Sequence, residues 1–116
     1  MNKHQVHEYR AKLPARISVR ILNEDGGFWA KITTPDGKLS NCYTQADTIP
    51  DLVSMINDAV KTHFDVPEKI REEVGFYVPV PEDHLRWEAM FIQLSAMQHP
   101  TAKDTTLTLR EPELVQ

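Results

Sequence analysis

The sequence predicts an α+β domain. A three-stranded antiparallel meander carries a helix on one face, in the order β-β-β-α-β, and a C-terminal helix and short strand follow. Three observations predict it. Two short alternating runs flank an acidic-glycine turn at residues 24–27. An apolar stripe of helical spacing runs from Ile49 to Phe64. The chain has 116 residues, 41% of them hydrophobic and 26% charged, which is the size and composition of one globular domain.

Residues 1–15 show no clear apolar period and read as a basic N-terminal arm, mobile or loosely docked. From Arg16 to Asn23 the pattern alternates, with Ile17, Val19 and Ile21 on one face and Ser18, Arg20 and Leu22 on the other, which is a strand. Glu24-Asp25-Gly26-Gly27 is a hairpin turn, since glycine takes positive φ without steric cost. Phe28 to Thr33 returns as a second strand, with Phe28, Ala30 and Ile32 opposite Trp29 and Lys31. Pro35-Asp36-Gly37 is a second turn, and Lys38 to Thr44 is predicted as a third strand.

Thr48 is placed to cap a helix, Pro50 sits in its first turn where a missing N–H costs nothing, and Asp51 faces the positive end of its dipole. Ile49, Leu52, Val53, Ile56, Ala59, Val60 and Phe64 then form one stripe. Asp65 and Pro67 start a shorter predicted helix through Val74, stopped by Gly75. Phe76 to Val80 is apolar and β-prone. Pro79 removes one ladder donor, so the segment is an edge strand or an extended lead-in. Asp83 to Gln98 reads as a further helix. Trp87, Met90, Phe91, Leu94 and Met97 line one side of it, and Leu85, Ala89, Ile92 and Ala96 widen that side. So broad an apolar surface is either sandwiched inside the monomer or shared with a second subunit. Thr105 to Leu109 alternates as a last strand.

The net charge of −4, from 13 basic and 17 acidic residues, argues against a nucleic-acid binder, because phosphate contacts need a basic footprint. Residues 1–20 hold Lys3, Arg10, Lys12, Arg16 and Arg20 against Glu8 alone, so the remainder is acidic. Such a body attracts a basic partner, or is simply solubilised by its charge. Cys42 is the one cysteine, which excludes an internal disulfide and any cysteine-built metal cage. No apolar run reaches membrane-spanning length and no secretory signal follows Met1, so a cytoplasmic, reducing setting without membrane contact is expected.

The search for catalytic chemistry returns little. His4 and His7 are three apart but have no third ligand nearby, so no metal is expected there. His63 falls at the negative end of the main helix, where a cation is favoured on dipole grounds. Cys42 has neither a base nor an electropositive surround and reads as a half-buried strand residue. Asp47, Asp51 and Asp58 could hold a divalent cation for a residual nuclease, but acids at a helix start are expected from the dipole alone. No phosphate loop, dinucleotide fingerprint or serine elbow is present. The expectation is a binding module with no catalytic residue, no metal and no cofactor. Its proposed contact residues are Glu24, Asp25 and Trp29, because an acidic turn attracts and a tryptophan anchors. For Trp29 the alternative, which the sequence favours, is burial beneath the Asp83–Gln98 helix.

Residues 17–64 resemble the HicB-like antitoxin family. Ile17-Ser18-Val19-Arg20-Ile21-Leu22-Asn23-Glu24-Asp25-Gly26-Gly27-Phe28-Trp29-Ala30 looks like that family's first hairpin. Leu39-Ser40-Asn41-Cys42-Tyr43-Thr44-Gln45-Ala46-Asp47-Thr48 resembles its L-P-G-C-x-T-x-G-x-T stretch, followed here by Asp51 and an amphipathic helix with Asn57 and Ala59. Ser40, Asn41 and Ala46 depart from the family's proline, glycine and glycine. The resemblance implies a partial RNase-H-like sheet without nuclease residues, over a HicB-like domain at 16–80, with residues 81–116 as a C-terminal helix and strand extension. It implies an antitoxin that neutralises a small basic ribonuclease, a HicA-like toxin, by protein–protein binding, and a homodimer formed through the C-terminal helix. Thr105-Thr106-Leu107-Thr108-Leu109-Arg110 faintly resembles the opening of a ribbon-helix-helix arm, yet neither helix follows, so DNA binding is not expected of this chain. The alternative is a solitary HicB-like oligomeric regulator or small-ligand binder without a toxin.

Overall fold

The computed structural model describes residues 3–24, 27–79 and 101–110. Helix α1 spans Lys3–Lys12, strand β1 Arg16–Glu24, β2 Gly27–Thr33, β3 Cys42–Ala46, helix α2 Ile49–His63, β4 Phe76–Pro79 and β5 Thr101–Arg110. The five strands form one sheet in the order β3-β2-β1-β5-β4, and every neighbouring pair is antiparallel. The α+β class is as predicted, and the meander is its β1-β2-β3 half.

Strict alternation in β1 decides which face is core. Ile17, Val19 and Ile21 are buried, and Ala30 and Ile32 of β2 continue the same face. Leu52, Ile56 and Val60, four residues apart on α2, are fully buried among the same core residues. Each buried aliphatic side chain contributes about 1.5–3 kcal/mol. Thr48 caps α2 as predicted: its Oγ1 accepts the Asp51 N–H at 3.2 Å. Beyond His63, Asp65 takes the left-handed conformation (φ 56°), which aspartate tolerates better than most residues, and the chain leaves the helix axis.

Four expectations need correction. The third strand runs Cys42–Ala46 rather than Lys38–Thr44. The cause is a closed loop: the Thr34 N–H donates to the Leu39 carbonyl, the Leu39 N–H returns to Thr34 Oγ1, and Thr34 Oγ1 donates to Asp36 at 2.6 Å. Leu39 is thereby tucked into the core and removed from the ladder. The short helix predicted from Asp65 to Val74 is only a 3-10 turn at Glu68–Ile70. The supposed arm contains a helix, α1, in which Val6 and Tyr9, with Leu13 just after, join the core. Arg10 ties α1 across the molecule, donating to the carbonyls of Glu73 (2.8 Å) and Val74 (3.2 Å).

The fourth correction concerns the C-terminal strand. It is longer than Thr105–Leu109 and lies within the sheet, between β1 and β4. It pairs along β1 from Arg16↔Thr108 to Asn23↔Thr101, and along β4 from Phe76↔Arg110 to Pro79↔Leu107. As predicted, Pro79 sits on an edge strand, where its missing N–H is harmless. The Asp83–Gln98 helix, and with it the dimer contact expected there, lies outside the described residues. No helix among the described residues is long and apolar enough to cross a membrane.

Candidate functional site

The face of the sheet opposite α2 is built from the alternate residues of each strand. In register it holds Arg16, Ser18, Arg20 and Leu22 of β1, Trp29 and Lys31 of β2, Tyr43 and Gln45 of β3, and Asp104 and Thr106 of β5. Trp29 stands opposite Leu22 on one side and Gln45 on the other, and remains 41% exposed. The favoured expectation that it is buried internally is therefore overturned. Tyr43, beside it, is also exposed, and the Lys31 ammonium lies 5.9 Å from its ring centre. Arg20 grips Asp104 through two bonds of 2.9 and 3.3 Å, which pulls the Asp104 carboxyl below its ordinary value and raises the guanidinium. This pair floors an open recess of about 510 Å³ together with Ser18, Lys31, Thr33 and Thr106.

Charge divides between the two sides of the molecule. Arg16, Arg20 and Lys31 outnumber the acids of the Trp29 face, which are Asp104 and, at the end of β1, Glu24. The acids Asp47, Asp51, Asp58, Asp65, Glu68, Glu72 and Glu73 are all exposed along α2 and the segment after it. The sequence reading joined Trp29 with Glu24 and Asp25 in one interface; the register keeps Glu24 on the Trp29 face, while most of the described acids lie along α2 and the segment after it. Glu24 ends β1 opposite Gly27, two register positions from Trp29, and Asp25 lies outside the described residues.

The remaining sequence candidates are not drawn together. Asp58 is engaged by Arg71 at 2.7 Å, and Asp47 and Asp51 are exposed at the start of α2. Among the described residues no three histidine, cysteine, aspartate or glutamate side chains are grouped to hold a metal ion. His63 Nε2 lies 3.1 Å from the Lys38 carbonyl, tying the end of α2 to the loop before β3. Cys42 is half-buried in β3, and burial pushes its thiol up, away from the reactive thiolate.

Two residues are structurally prominent: Asn57, which the sequence reading named only within the resemblance, and Lys61, which it did not name. Asn57 is buried, its Nδ2 donating to the carbonyls of Val53 (2.9 Å) and Tyr77 (3.1 Å) while its Oδ1 accepts the Tyr77 N–H at 2.6 Å. One side chain thus closes the outer edge of β4, an edge that would otherwise invite strand pairing. The other outer edge, on β3, borders an open groove of about 570 Å³ reaching across to Met55, Ala59 and Thr62 of α2. Lys61 is only 3% exposed and lies with Asn57 in a cleft between α2 and β4. A signal existed: Asn57 and Lys61 are four apart and interrupt the apolar stripe of α2, where polar residues are out of place.

No family model matches the chain, and no solved structure matches it. Over 49 residues it is 39% identical to a UPF0150 protein of Thermotoga maritima, a stretch covering 42% of this chain and 63% of that relative. The chain therefore spans less than two thirds of that relative's length, and what the comparisons establish is a limited similarity to a UPF0150 protein.

Proposed function

We propose that this chain is a HicB-like antitoxin, which neutralises a small basic ribonuclease by binding it and performs no chemistry of its own. The observation that carries the reading is the acidic ridge along α2 and the segment after it, set on the side of the sheet away from Trp29. This surface is net acidic even with Lys61, Lys69 and Arg71 counted, and such a charge steers a basic partner and raises its association rate. The hairpin residues Glu24 and Asp25, with Trp29, form the second candidate contact surface, and the test separates the two.

The experiment searches the sequence beside the gene for a short basic reading frame, co-expresses its product with the chain and measures that product's ribonuclease activity; the absence of any such frame favours the solitary regulator. Stoichiometric inhibition on adding the chain back supports the reading. Asp51→Lys with Glu68→Lys is expected to slow association about tenfold at low salt, and the slowing fades as salt is added. Slowing confined to Glu24→Lys with Asp25→Lys moves the contact to the hairpin. A co-expressed basic protein that neither binds nor loses activity overturns the antitoxin reading and leaves the solitary regulator.

A further inference from the structure

The two edges of the sheet are finished differently. On β4 the Asn57 side chain takes the Tyr77 N–H and carbonyl, and Pro79 removes a further donor. At the other end of the order, β3 has β2 as its one strand neighbour among the described residues. Its outer side therefore presents a row of backbone N–H and carbonyl groups. Stable proteins guard such a row with charges, a proline or a bulge. Cys42-Tyr43-Thr44-Gln45-Ala46 carries no charge and no proline, and its pairing with β2 runs without a break from Phe28↔Ala46 to Ile32↔Cys42.

Exposed apolar surface gathers at the same edge. Four large hydrophobic residues are exposed among the described residues, and three of them flank β3. Tyr43, 55% exposed, lies on the strand itself, and Trp29 is the register partner of Gln45. Met55, 43% exposed, lines the groove between β3 and α2 on the other face. Lys38 and Asp58 of that groove are opposite in sign, so it selects neither a basic nor an acidic occupant. What fits is a neutral strand with apolar flanks, and β3 itself meets that description. A two-fold axis at Thr44 sets Tyr43 of one copy against Gln45 of the other, Thr44 against Thr44, and Cys42 against Ala46. Each pair joins residues an even number of positions apart in sequence. Outward-turned backbone groups therefore meet each other, and side chains keep their faces. The next positions, Asn41 against Asp47, bring no like charges together.

We propose that β3 pairs antiparallel with β3 of a second copy of this chain, about a two-fold axis at Thr44, and joins the two sheets edge to edge. The pairing closes the open edge of both copies. It extends the aromatic row of Trp29 and Tyr43 across one face, with Met55 of each copy towards the joint on the other. Such a contact uses the same surface on both partners, so it closes at two copies. The guarded edge at β4 adds no third. A strand of five residues a side makes a small interface, which sets the dimer in the micromolar range. The joint is separate from the C-terminal helix contact that the resemblance implies, and it does not depend on the antitoxin reading.

The test measures self-association of the full chain by sedimentation equilibrium. Expected is a monomer–dimer equilibrium with a micromolar dissociation constant. Tyr43→Glu with Gln45→Glu sets like charges opposite each other twice and should weaken the dimer about tenfold or more at low salt. Tyr43→Glu with Gln45→Lys sets opposite charges there and should recover most of that loss. Both positions are exposed, and urea unfolding of each variant checks that it is folded. Thr44→Cys with Cys42→Ser should give a disulfide-linked dimer on mild oxidation, whereas Glu68→Cys with Cys42→Ser, outside the joint, should not. A chain that stays monomeric to millimolar concentration overturns the proposal. So does a dimer that responds alike to the two charge variants and does not cross-link through Thr44→Cys. Variants that leave self-association unchanged but release a co-purified protein give the edge to that protein and overturn it as well.

Discussion

Asn57→Leu should destabilise the protein out of proportion to the one side chain changed. The leucine fills similar space but withdraws the donor and the acceptor that meet the Tyr77 carbonyl at 3.1 Å and the Tyr77 N–H at 2.6 Å. Tyr77 is fully buried, so water reaches these groups poorly. The Val53 carbonyl loses little, because it keeps its ordinary helical partner in the Asn57 N–H. Each stranded backbone group costs about 1–3 kcal/mol, so the pair costs about 2–5 kcal/mol after some relaxation. That is a large share of the ~5–15 kcal/mol typical of a domain. Urea unfolding followed by tryptophan fluorescence measures it as a lowered midpoint at unchanged slope. Asn57→Asp sharpens the test. The carboxylate still accepts from Tyr77 but faces two carbonyls, so this variant should be as damaged at neutral pH and recover in acid, where the protonated group donates again. A cost below about 1 kcal/mol for Asn57→Leu would refute the claim that this side chain closes the edge of β4.

Other outcomes follow from the same structure. Gly75→Ala should cost about 1–3 kcal/mol in backbone strain, plus a clash, because φ is 117° and a Cβ would lie 2.6 Å from the Arg110 carbonyl; a thermal midpoint within error of wild type would contradict the close packing of β5 there. Tyr77→Phe removes the bond its hydroxyl donates to the Pro14 carbonyl at 2.6 Å and should cost about 1 kcal/mol at neutral pH. Burial raises the Tyr77 phenol above its ordinary value, so its contribution is present below pH ~10 and lost as pH rises beyond it, and the Phe variant should lack that alkaline loss in urea titrations. Lys61 has the opposite sign. Its value is lowered in the folded state, so its charge costs stability below that value, and the cost fades as pH rises towards 10.5. Lys61→Met should therefore be more stable than wild type at neutral pH, with the advantage shrinking in alkali; an advantage independent of pH would assign it to packing alone.

Much of this protein was legible from periodicity. The alternation of Ile17, Val19 and Ile21 marked the buried face of β1, and the stripe from Leu52 to Val60 marked α2, because both patterns are local consequences of backbone geometry. Thr48 and Pro79 likewise declared a helix start and a sheet edge through their own hydrogen-bonding capacity. What needed the tertiary structure was everything decided by partners distant in sequence. Helix α1 has no strong period of its own and is docked by Arg10 reaching Glu73 and Val74. The strand at Leu39 was lost to a loop closed by the Thr34 hydroxyl. Strand β5 entered the sheet beside β1, 78 to 92 residues away in sequence, and no local pattern specifies which neighbour a late strand will choose. The site followed the same rule. Composition predicted an acidic body, but only the register of the sheet set Arg20 and Lys31 near Trp29, and only the fold placed most of the described acids along α2 and the segment after it. Lys61 carried no role in the sequence reading, and only the fold packs it against Phe76, because burial belongs to the assembled surfaces and not to the residue.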